Sequence, residues 1–279
     1  MHNSTQDILK MKKEGQKISV ITSYDYTLAS LCDKAGIDVL LVGDSAGMVM
    51  LGYENTIPVT MDQMCMFTGA VSRARTNSLL VADLPFMSYQ VNIDDAIKNS
   101  GRLIKAGADA VKLEGGTTMA ETISAIVDVG IPVMGHIGLQ PQTTMLSQGY
   151  KVQGKTKDSA LKLIDEAKEL EEAGVFSIVL EMVGHEVAEI ISETVSIPTI
   201  GIGSGIGCDG QVLVVQDLLG MYDKLKPKFV KRYMNLSEDI VKSVENYKKD
   251  IESGIFPGQE NWFSMDSEEL KKLREEIGR

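Results

Sequence analysis

Residues 106–116 read AGADAVKLEGG, and this short stretch contains the pattern that decides the fold. A helical segment ends at an Ala-Gly pair, an apolar run follows, and charged residues close the run. Glycine directly after a helix can take the left-handed conformation that stops the helix. The stretch therefore predicts a helix-to-strand joint and then a strand, Ala110–Glu114, with polar groups at its end.

Similar joints occur at residues 35–38 (AGID), 129–132 (VGIP) and 173–176 (AGVF). Around these joints the chain contains short β-branched or aliphatic runs, which are Ile18–Thr22, Asp38–Val42, Leu79–Ala82, Ala110–Glu114, Pro132–Gly135, Ser177–Glu181, Pro198–Ile202 and Gln211–Val215. The runs are continuously apolar rather than alternating, which is typical of buried parallel strands. The sequence thus predicts repeated βα units.

Helix-like segments separate these runs, among them Asp94–Ala106, Thr117–Val129 and Lys157–Ala173. The last of them shows an apolar stripe at helical spacing, formed by Leu161, Ile164, Ala167 and Leu170. Asn3–Asp7 offers caps for a short amino-terminal helix. Eight strands that alternate with helices predict an α/β fold, a (β/α)8 TIM barrel, and a doubly wound open sheet is the alternative.

The pattern changes after Val215, where the strands end and charged helical segments follow. Ser237–Ser253 is predicted to be a helix with Ser237 as its N-cap, and Ser267–Ile277 is predicted to be the last helix. These extra C-terminal helices are expected to pack on the barrel or on a neighbouring subunit. We therefore divide the chain into a barrel domain with C-terminal helices, residues 1–263, and a charged helical extension, residues 264–279.

The composition excludes several classes of protein. The 279 residues include 39 acidic and 28 basic side chains, a net charge of −11, which argues against binding to nucleic acid. Three cysteines, an odd number without a CxxC pair, indicate reduced thiols in a cytosolic protein. The amino terminus has no apolar segment of a signal peptide, and no run approaches the length of a membrane span. We expect a soluble cytoplasmic protein without membrane partners.

Polar side chains stand at the ends of five consecutive predicted strands, in strand order Asp44 and Ser45, Asp83, Lys112 and Glu114, His136, and Glu181. In a barrel all of them lie at the carboxyl-terminal face, where barrel enzymes hold their chemistry. The spacing is the strongest functional signal in the residues themselves.

Asp44, Asp83 and Glu114 are carboxylates on adjacent predicted strands. Bringing them together without a cation would raise their pKa values, and a hard divalent ion would relieve the repulsion. Oxygen ligands without Cys or paired His favour Mg²⁺ or Mn²⁺ over zinc. The alternative, that each carboxylate caps the loop after its strand, is weaker for three neighbouring strands than for one.

Lys112, Glu181 and His136 have more than one interpretation each. Lys112 is interpreted first as a group that binds a substrate anion, second as a buried ion-pair partner and third as a Schiff-base lysine. Glu181 has apolar neighbours, and a desolvated carboxylate suits a general base, although a paired or capping role is equally supported. His136 is a candidate substrate contact or a hydrogen-bonded loop histidine, on even terms.

Several long motifs resemble the ketopantoate hydroxymethyltransferase family, also called 3-methyl-2-oxobutanoate hydroxymethyltransferases. They are ITSYDYTLASLCDKAGIDVLLVGDSAGMVMLGYENTIPVTMDQM (21–64), VADLPFMSY (81–89), AGADAVKLEGG (106–116), GHIGLQPQ (135–142), GYKVQGKT (149–156), IPTIGIGSG (197–205), CDGQVLVVQDLLG (208–220) and ESGIFPG (252–258). The likeness spans about residues 3–263. One departure is Ser204, where the family usually has Ala.

The resemblance implies a (β/α)8 barrel of the phosphoenolpyruvate/pyruvate superfamily. It also implies an enzyme that makes ketopantoate in pantothenate biosynthesis. It implies that Asp44 and Asp83 bind Mg²⁺ directly and that Glu114 also holds the ion, directly or through water. Ser45 and Lys112, with the two aspartates, would bind the 2-oxo acid, and Glu181 occupies the position of the proton acceptor. It also implies a homodecamer of two pentameric rings, with C-terminal helices that contact neighbours.

The implied reaction transfers a hydroxymethyl group from 5,10-methylenetetrahydrofolate to 3-methyl-2-oxobutanoate through a Mg²⁺-stabilised enolate, with Glu181 as the base at C3. Two alternatives have a different function. One is a Mg²⁺-dependent lyase or mutase of the same superfamily that acts on a small 2-oxo acid, which would need no folate. The other is a non-catalytic anion-binding protein, which would not need three adjacent strand-end carboxylates.

Overall fold

A computed structural model describes residues 2–144, 151–223 and 227–279 of the chain. The described residues divide into two compact units, Met1–Tyr233 and Met234–Arg279 by their outer bounds. Residues 149 and 150 of the motif GYKVQGKT lie outside the described residues.

Within the described residues, the first unit contains eight parallel strands that close into one barrel in chain order. The strands are β1 (Ile18–Thr22), β2 (Val39–Val42), β3 (Leu79–Asp83), β4 (Ala110–Lys112), β5 (Val133–Gly138), β6 (Ser177–Glu181), β7 (Thr199–Ile202) and β8 (Gly210–Leu213). Pairing of β1 with β8 closes the sheet. The predicted (β/α)8 barrel is confirmed, and the closed sheet excludes the doubly wound alternative.

The α-helices of this unit are α1 (Thr5–Lys13), α2 (Tyr26–Lys34), α3 (Ala46–Val49), α4 (Met61–Ala74), α5 (Ile93–Ala106), α6 (Ala120–Asp128), α7 (Pro141–Thr144), α8 (Lys157–Glu172), α9 (His185–Thr194) and α10 (Val215–Leu218). In α8 three of the four predicted stripe residues pack against the core: Ala167 and Leu170 are buried and Ile164 is partly buried, whereas Leu161 was predicted wrongly. Leu161 is 48% exposed, and Leu163 is buried instead, together with Ala167 and Leu170. The core-facing side of α8 thus begins at Leu163 rather than at Leu161.

Positive φ angles confirm the four predicted helix stops. Gly36, Gly107, Gly130 and Gly174 have φ between 81° and 110°. A side chain is strained in this left-handed region, because its Cβ approaches the following carbonyl oxygen. The repeated joints of the sequence are therefore helix stops that turn the chain into β2, β4, β5 and β6.

Gly107→Ala is expected to lower the free energy of unfolding by at least about 2 kcal/mol. At this residue φ is +110°, and a Cβ atom would lie 2.1 Å from Ser72 Oγ, so conformational strain and a steric clash add together. Gly101, inside the same helix α5, is a matched control, because a Cβ there meets nothing within 4 Å. Gly101→Ala is expected to stabilise the helix by about 0.5–1 kcal/mol. Urea unfolding curves that place both variants on the same side of the wild type would contradict the assignment.

The interior of the barrel is filled by apolar side chains from its strands, such as Leu41, Val81 and Val179. Ile8 of α1 is fully buried in the same cluster as Ile18 and Leu79, which are the first residues of β1 and β3. Helix α1 therefore packs against the amino-terminal ends of the strands. A second and larger core lies between the sheet and the surrounding helices.

The second unit contains α11 (Leu236–Glu252) and α12 (Ser267–Glu276). Helix α11 begins one residue earlier than predicted, and its N-cap is Asn235, so the assignment of Ser237 as the cap was wrong. Val241, Val244 and Tyr247 are more than half exposed on α11 within this unit. The domain limits of 1–263 and 264–279 stay a prediction. None of the helices in the described ranges combines the length and apolar character that a bilayer span needs.

Candidate active site

All seven residues that the sequence placed at the site line one cavity of about 1400 Å³ at the carboxyl ends of the strands, namely Asp44, Ser45, Asp83, Lys112, Glu114, His136 and Glu181. Asp83, Lys112 and Glu181 are the last residues of β3, β4 and β6. His136 was expected after β5 but lies inside that strand, so it is not a loop histidine. The strand runs on because Ile137 and Gly138 keep pairing with β6.

Asp83 and Lys112 form a buried ion pair at the bottom of the cavity. They are register partners on β3 and β4, and Lys112 Nζ lies 3.0 Å from Asp83 Oδ1. Burial lowers the pKa of Lys112, but Asp83, Glu114 and Asp44 together raise it above its usual value. Lys112 is therefore charged at neutral pH, which suits an anion or an ion pair. A Schiff-base lysine needs a lowered pKa, so this geometry does not support that interpretation.

Asp44 and Glu114 are buried carboxylates with raised pKa values. Burial, then the nearby charge of Asp83, raises the pKa of Asp44 to about 7. Burial, then the charge of Asp44, raises the pKa of Glu114 well above its usual value. This is the repulsion that the sequence predicted for these carboxylates in the absence of a cation.

The side chains around Asp44, Asp83 and Glu114 fit a hard divalent cation in their chemistry. All three are at most 5% exposed, and Asp83 Oδ1 is buried without an aligned hydrogen-bond donor. Among the described residues, no three His, Cys, Asp or Glu side chains already surround a common point. Lys112 contacts an oxygen of Asp83, and Gln142 contacts an oxygen of Asp44. The donors are present, and binding of an ion requires them to turn towards it.

Glu181 lies against His136 in the same cavity as the other carboxylates. Its Oε2 lies 3.2 Å from His136 Nε2, and its side chain is 14% exposed. Burial, then the charge of Lys112, lowers the pKa of His136, so the imidazole is neutral at pH 7. Lys112 Nζ lies 3.5 Å from Nδ1 of that ring, and an ammonium group can only donate. The ring proton therefore belongs on Nε2, facing Glu181.

The backbone turn after Glu181 is strained and held by hydrogen bonds. Met182 has φ of +48°, and its N–H donates to the Ile202 carbonyl at 2.8 Å. The Ser204 hydroxyl accepts from Val183 N at 3.0 Å and donates to the Leu180 carbonyl at 2.7 Å. Ser204 thus ties the β7 end to both sides of Glu181.

Sequence reasoning missed three residues that support the site: Tyr24, Tyr89 and Gln142. The Tyr24 hydroxyl lies 2.8 Å from Ser45 Oγ, and burial raises the pKa of Tyr24, so the phenol stays protonated. Tyr89 and Gln142 are hydrogen-bonded to each other beneath the carboxylates. Their signal was their position in the motifs VADLPFMSY and GHIGLQPQ, which were quoted without a role.

A closed parallel barrel with charged side chains converging at its carboxyl end defines the class of (β/α)8-barrel enzymes. Solved structures agree on the fold. The barrel resembles 2,3-dimethylmalate lyase, described as a PEP mutase/isocitrate lyase superfamily member, with a TM-score of 0.59, 15% identity, and coverage of 100% of this chain and 98% of that one. It also resembles phosphonopyruvate hydrolase, solved in complex with oxalate and Mg²⁺, with a TM-score of 0.58, 13% identity, and coverage of 99% and 96%.

The family model of ketopantoate hydroxymethyltransferase matches residues 2–259. The chain is 85% identical over 278 residues to 3-methyl-2-oxobutanoate hydroxymethyltransferase of Nitrosopumilus maritimus (strain SCM1), with 100% of both chains covered. The chain therefore belongs to the ketopantoate hydroxymethyltransferase family. It is an enzyme that transfers a hydroxymethyl group to 3-methyl-2-oxobutanoate in the pathway to pantothenate.

Proposed function

We propose that the enzyme takes the hydroxymethyl carbon from 5,10-methylenetetrahydrofolate and carries out the transfer in the cavity described above, with Mg²⁺ bound. The observation that carries the proposal is the convergence of buried carboxylates, the Lys112 ammonium and Glu181 in this one cavity. The negative groups suit a metal ion, the ammonium suits the carboxylate of a 2-oxo acid, and a further carboxylate is available for proton transfer.

Asp44 and Asp83 would hold Mg²⁺ directly, and Glu114 would hold it directly or through water. The burial of all three and the raised pKa values of Asp44 and Glu114 support this proposal, because a divalent cation would compensate closely spaced negative charges. The Mg²⁺ of the phosphonopyruvate hydrolase complex, in a barrel of the same shape, agrees with it. When bound, the ion supplies Lewis acidity that stabilises negative charge on the keto oxygen.

Lys112 and Ser45 are proposed to bind the carboxylate of 3-methyl-2-oxobutanoate. Lys112 is 4% exposed and charged, so its attraction for an anion is weakly screened. Ser45 Oγ is hydrogen-bonded to the Tyr24 hydroxyl at 2.8 Å, which holds the serine side chain at the cavity wall. His136 lies between Lys112 and Glu181 and is proposed to contact the substrate as well.

Glu181 is proposed to remove the C3 proton of the 2-oxo acid. The proton moves to the carboxylate, and the electron pair at C3 forms a bond to the methylene carbon of the folate donor. Both bonds from that carbon to folate nitrogens break, and water supplies the hydroxyl group. The two nitrogens take up two protons, one that came from C3 through Glu181 and one from the water. The products are ketopantoate and tetrahydrofolate. The neutral His136 lies against this base, with Nε2 3.2 Å from Glu181 Oε2.

A cytoplasmic homo-oligomer, with a decamer as the implied size, completes the proposal. The free cysteines Cys32, Cys65 and Cys208 suit a reducing compartment. The exposed apolar residues of α11 suit contact with another subunit.

Product analysis tests the proposed function. Purified protein with MgCl₂, 3-methyl-2-oxobutanoate and 5,10-methylenetetrahydrofolate is expected to form ketopantoate, measured by mass spectrometry. Omission of the folate donor is expected to abolish product, which separates the transferase from a lyase or mutase. EDTA is expected to abolish product, and excess MgCl₂ is expected to restore it. Full activity in metal-free protein would contradict the metal site, and product without folate would contradict the donor.

A further inference from the structure

Gln142 connects the ends of three elements below the cavity. Its side chain lies on α7 and is 1% exposed. Nε2 donates to Asp44 Oδ2 at 2.8 Å and to the Leu84 carbonyl at 3.0 Å. Oε1 accepts from the Tyr89 hydroxyl at 2.8 Å and from Gln90 Nε2 at 3.3 Å. The amide is therefore satisfied on both sides in a buried place, where an unpaired polar group would be costly.

The chemistry of the neighbours fixes which way the amide points. The Leu84 carbonyl can only accept a hydrogen bond, so it must face the NH₂ group of Gln142. The Tyr89 phenol has one proton, and its shorter contact is the one to Gln142 Oε1 at 2.8 Å, against 3.1 Å to the Glu114 carbonyl. A flipped amide would place its oxygen against both Leu84 O and the Asp44 carboxylate. The NH₂ group is thus directed at Asp44.

The backbone of Gln142 contacts a second carboxylate. Its N–H donates to Glu114 Oε2 at 3.0 Å. Gln142 therefore orients the carboxylate of Asp44 through its side chain and the carboxylate of Glu114 through its backbone. Both contacts use neutral donors, which occupy one oxygen of each carboxylate without compensating its charge.

We propose that Gln142 is a positioning residue: it holds one oxygen of Asp44 and one oxygen of Glu114 in place, so that only the other oxygen of each carboxylate has to turn towards Mg²⁺. This inference rests on the metal role in the proposed function. A lysine in the same place would neutralise Asp44 and compete with the ion. A neutral amide orients the oxygen and leaves the negative charge available to the ion.

Gln142→Met tests the inference, since methionine has a similar length and no donor. The affinity of the Gln142→Met variant for Mg²⁺ is expected to be about 10–100-fold lower than that of the wild type, the usual effect of losing a group that orients a metal ligand. Isothermal titration of MgCl₂ into EDTA-treated, dialysed protein measures this without turnover. Steady-state kinetics at saturating Mg²⁺ are expected to show a raised KM for the 2-oxo acid and a smaller change in kcat.

Gln90→Met is the matched control. The Gln90→Met variant lacks one donor to the same amide, at 3.3 Å, and the Gln90 amide nitrogen bonds Gln142 rather than either carboxylate. The control is expected to bind Mg²⁺ as the wild type does. Gln142→Asn, whose amide is one methylene shorter, is a second variant in case the methionine variant does not fold, and it is expected to show the same loss.

The outcomes separate the inference from the function it rests on. If either folded Gln142 variant, with an unchanged melting temperature in EDTA, binds Mg²⁺ like the wild type, the positioning role is wrong and the function stands. If the wild type itself binds no Mg²⁺, the metal site fails and the inference fails with it. Weakened binding in the Gln142 variants with normal binding in Gln90→Met supports the inference.

Discussion

Asp83→Asn is expected to reduce ketopantoate formation by at least about a thousandfold, because a Lewis acid contributes several kcal/mol and each 1.36 kcal/mol is a factor of ten in rate. Asp83 is 3% exposed, pairs with Lys112 and has one oxygen without an aligned donor. Asparagine keeps the shape of the side chain and removes the charge. The metal ion and the ammonium group thus both lose a partner at once.

The measurement for Asp83→Asn combines product formation with titration of MgCl₂ into the metal-free protein. Loss of Mg²⁺ binding is expected alongside loss of turnover. Asp128→Asn is the matched control, because Asp128 is an exposed residue at the end of α6, and its activity is expected to equal that of the wild type. An Asp83→Asn enzyme that keeps wild-type affinity for Mg²⁺ would remove Asp83 from the metal site.

Glu181→Gln is expected to lower kcat by about 10²–10⁴-fold, the usual contribution of a general base. Binding of Mg²⁺ is expected to change little, because Glu181 is not among the proposed donors. Its carboxylate contacts His136 Nε2, and glutamine preserves the size of the side chain while removing the basic oxygen. The two variants therefore predict different patterns, with loss of metal and turnover for Asp83→Asn and loss of turnover alone for Glu181→Gln.

Exchange of the C3 proton assigns the step in which Glu181 acts. NMR of 3-methyl-2-oxobutanoate in D₂O, with enzyme and Mg²⁺, is expected to show exchange with the wild type and almost none with Glu181→Gln. Glu193→Gln, an exposed position on α9, is the control and is expected to exchange normally. Unchanged exchange in Glu181→Gln would exclude this residue as the C3 base and would direct attention to proton transfer on the folate side.

The sequence predicted the barrel well because its signals are local. Gly107 must end α5 whatever packs around it, and an apolar run such as Ile18–Thr22 must be buried on both faces. The errors arose where packing against other elements decides which residue is buried or where a helix begins. Leu161 has the right spacing for a buried position, but the packing of α8 selects Leu163. Ser237 resembles an N-cap, yet the helix has already begun at Leu236.

The candidate site could be predicted as a set of residues but not as a network. Barrel topology alone brings Asp44, Asp83 and Lys112 to one end, because all follow or end parallel strands. The contact of Gln142 with Asp44 joins positions 98 residues apart, and no spacing rule reports it. The contact of His136 with Glu181 likewise depends on the length of β5, which continues three residues beyond the predicted end at Gly135.

Helix α1 buries Ile8 against the first residues of β1 and β3, and this packing restricts how reactants reach the site. Because that end of the barrel is packed, a molecule that reaches the Asp83–Lys112 pair passes through the outer part of the cavity and returns the same way. Entry of one molecule and release of another therefore exclude each other along this path.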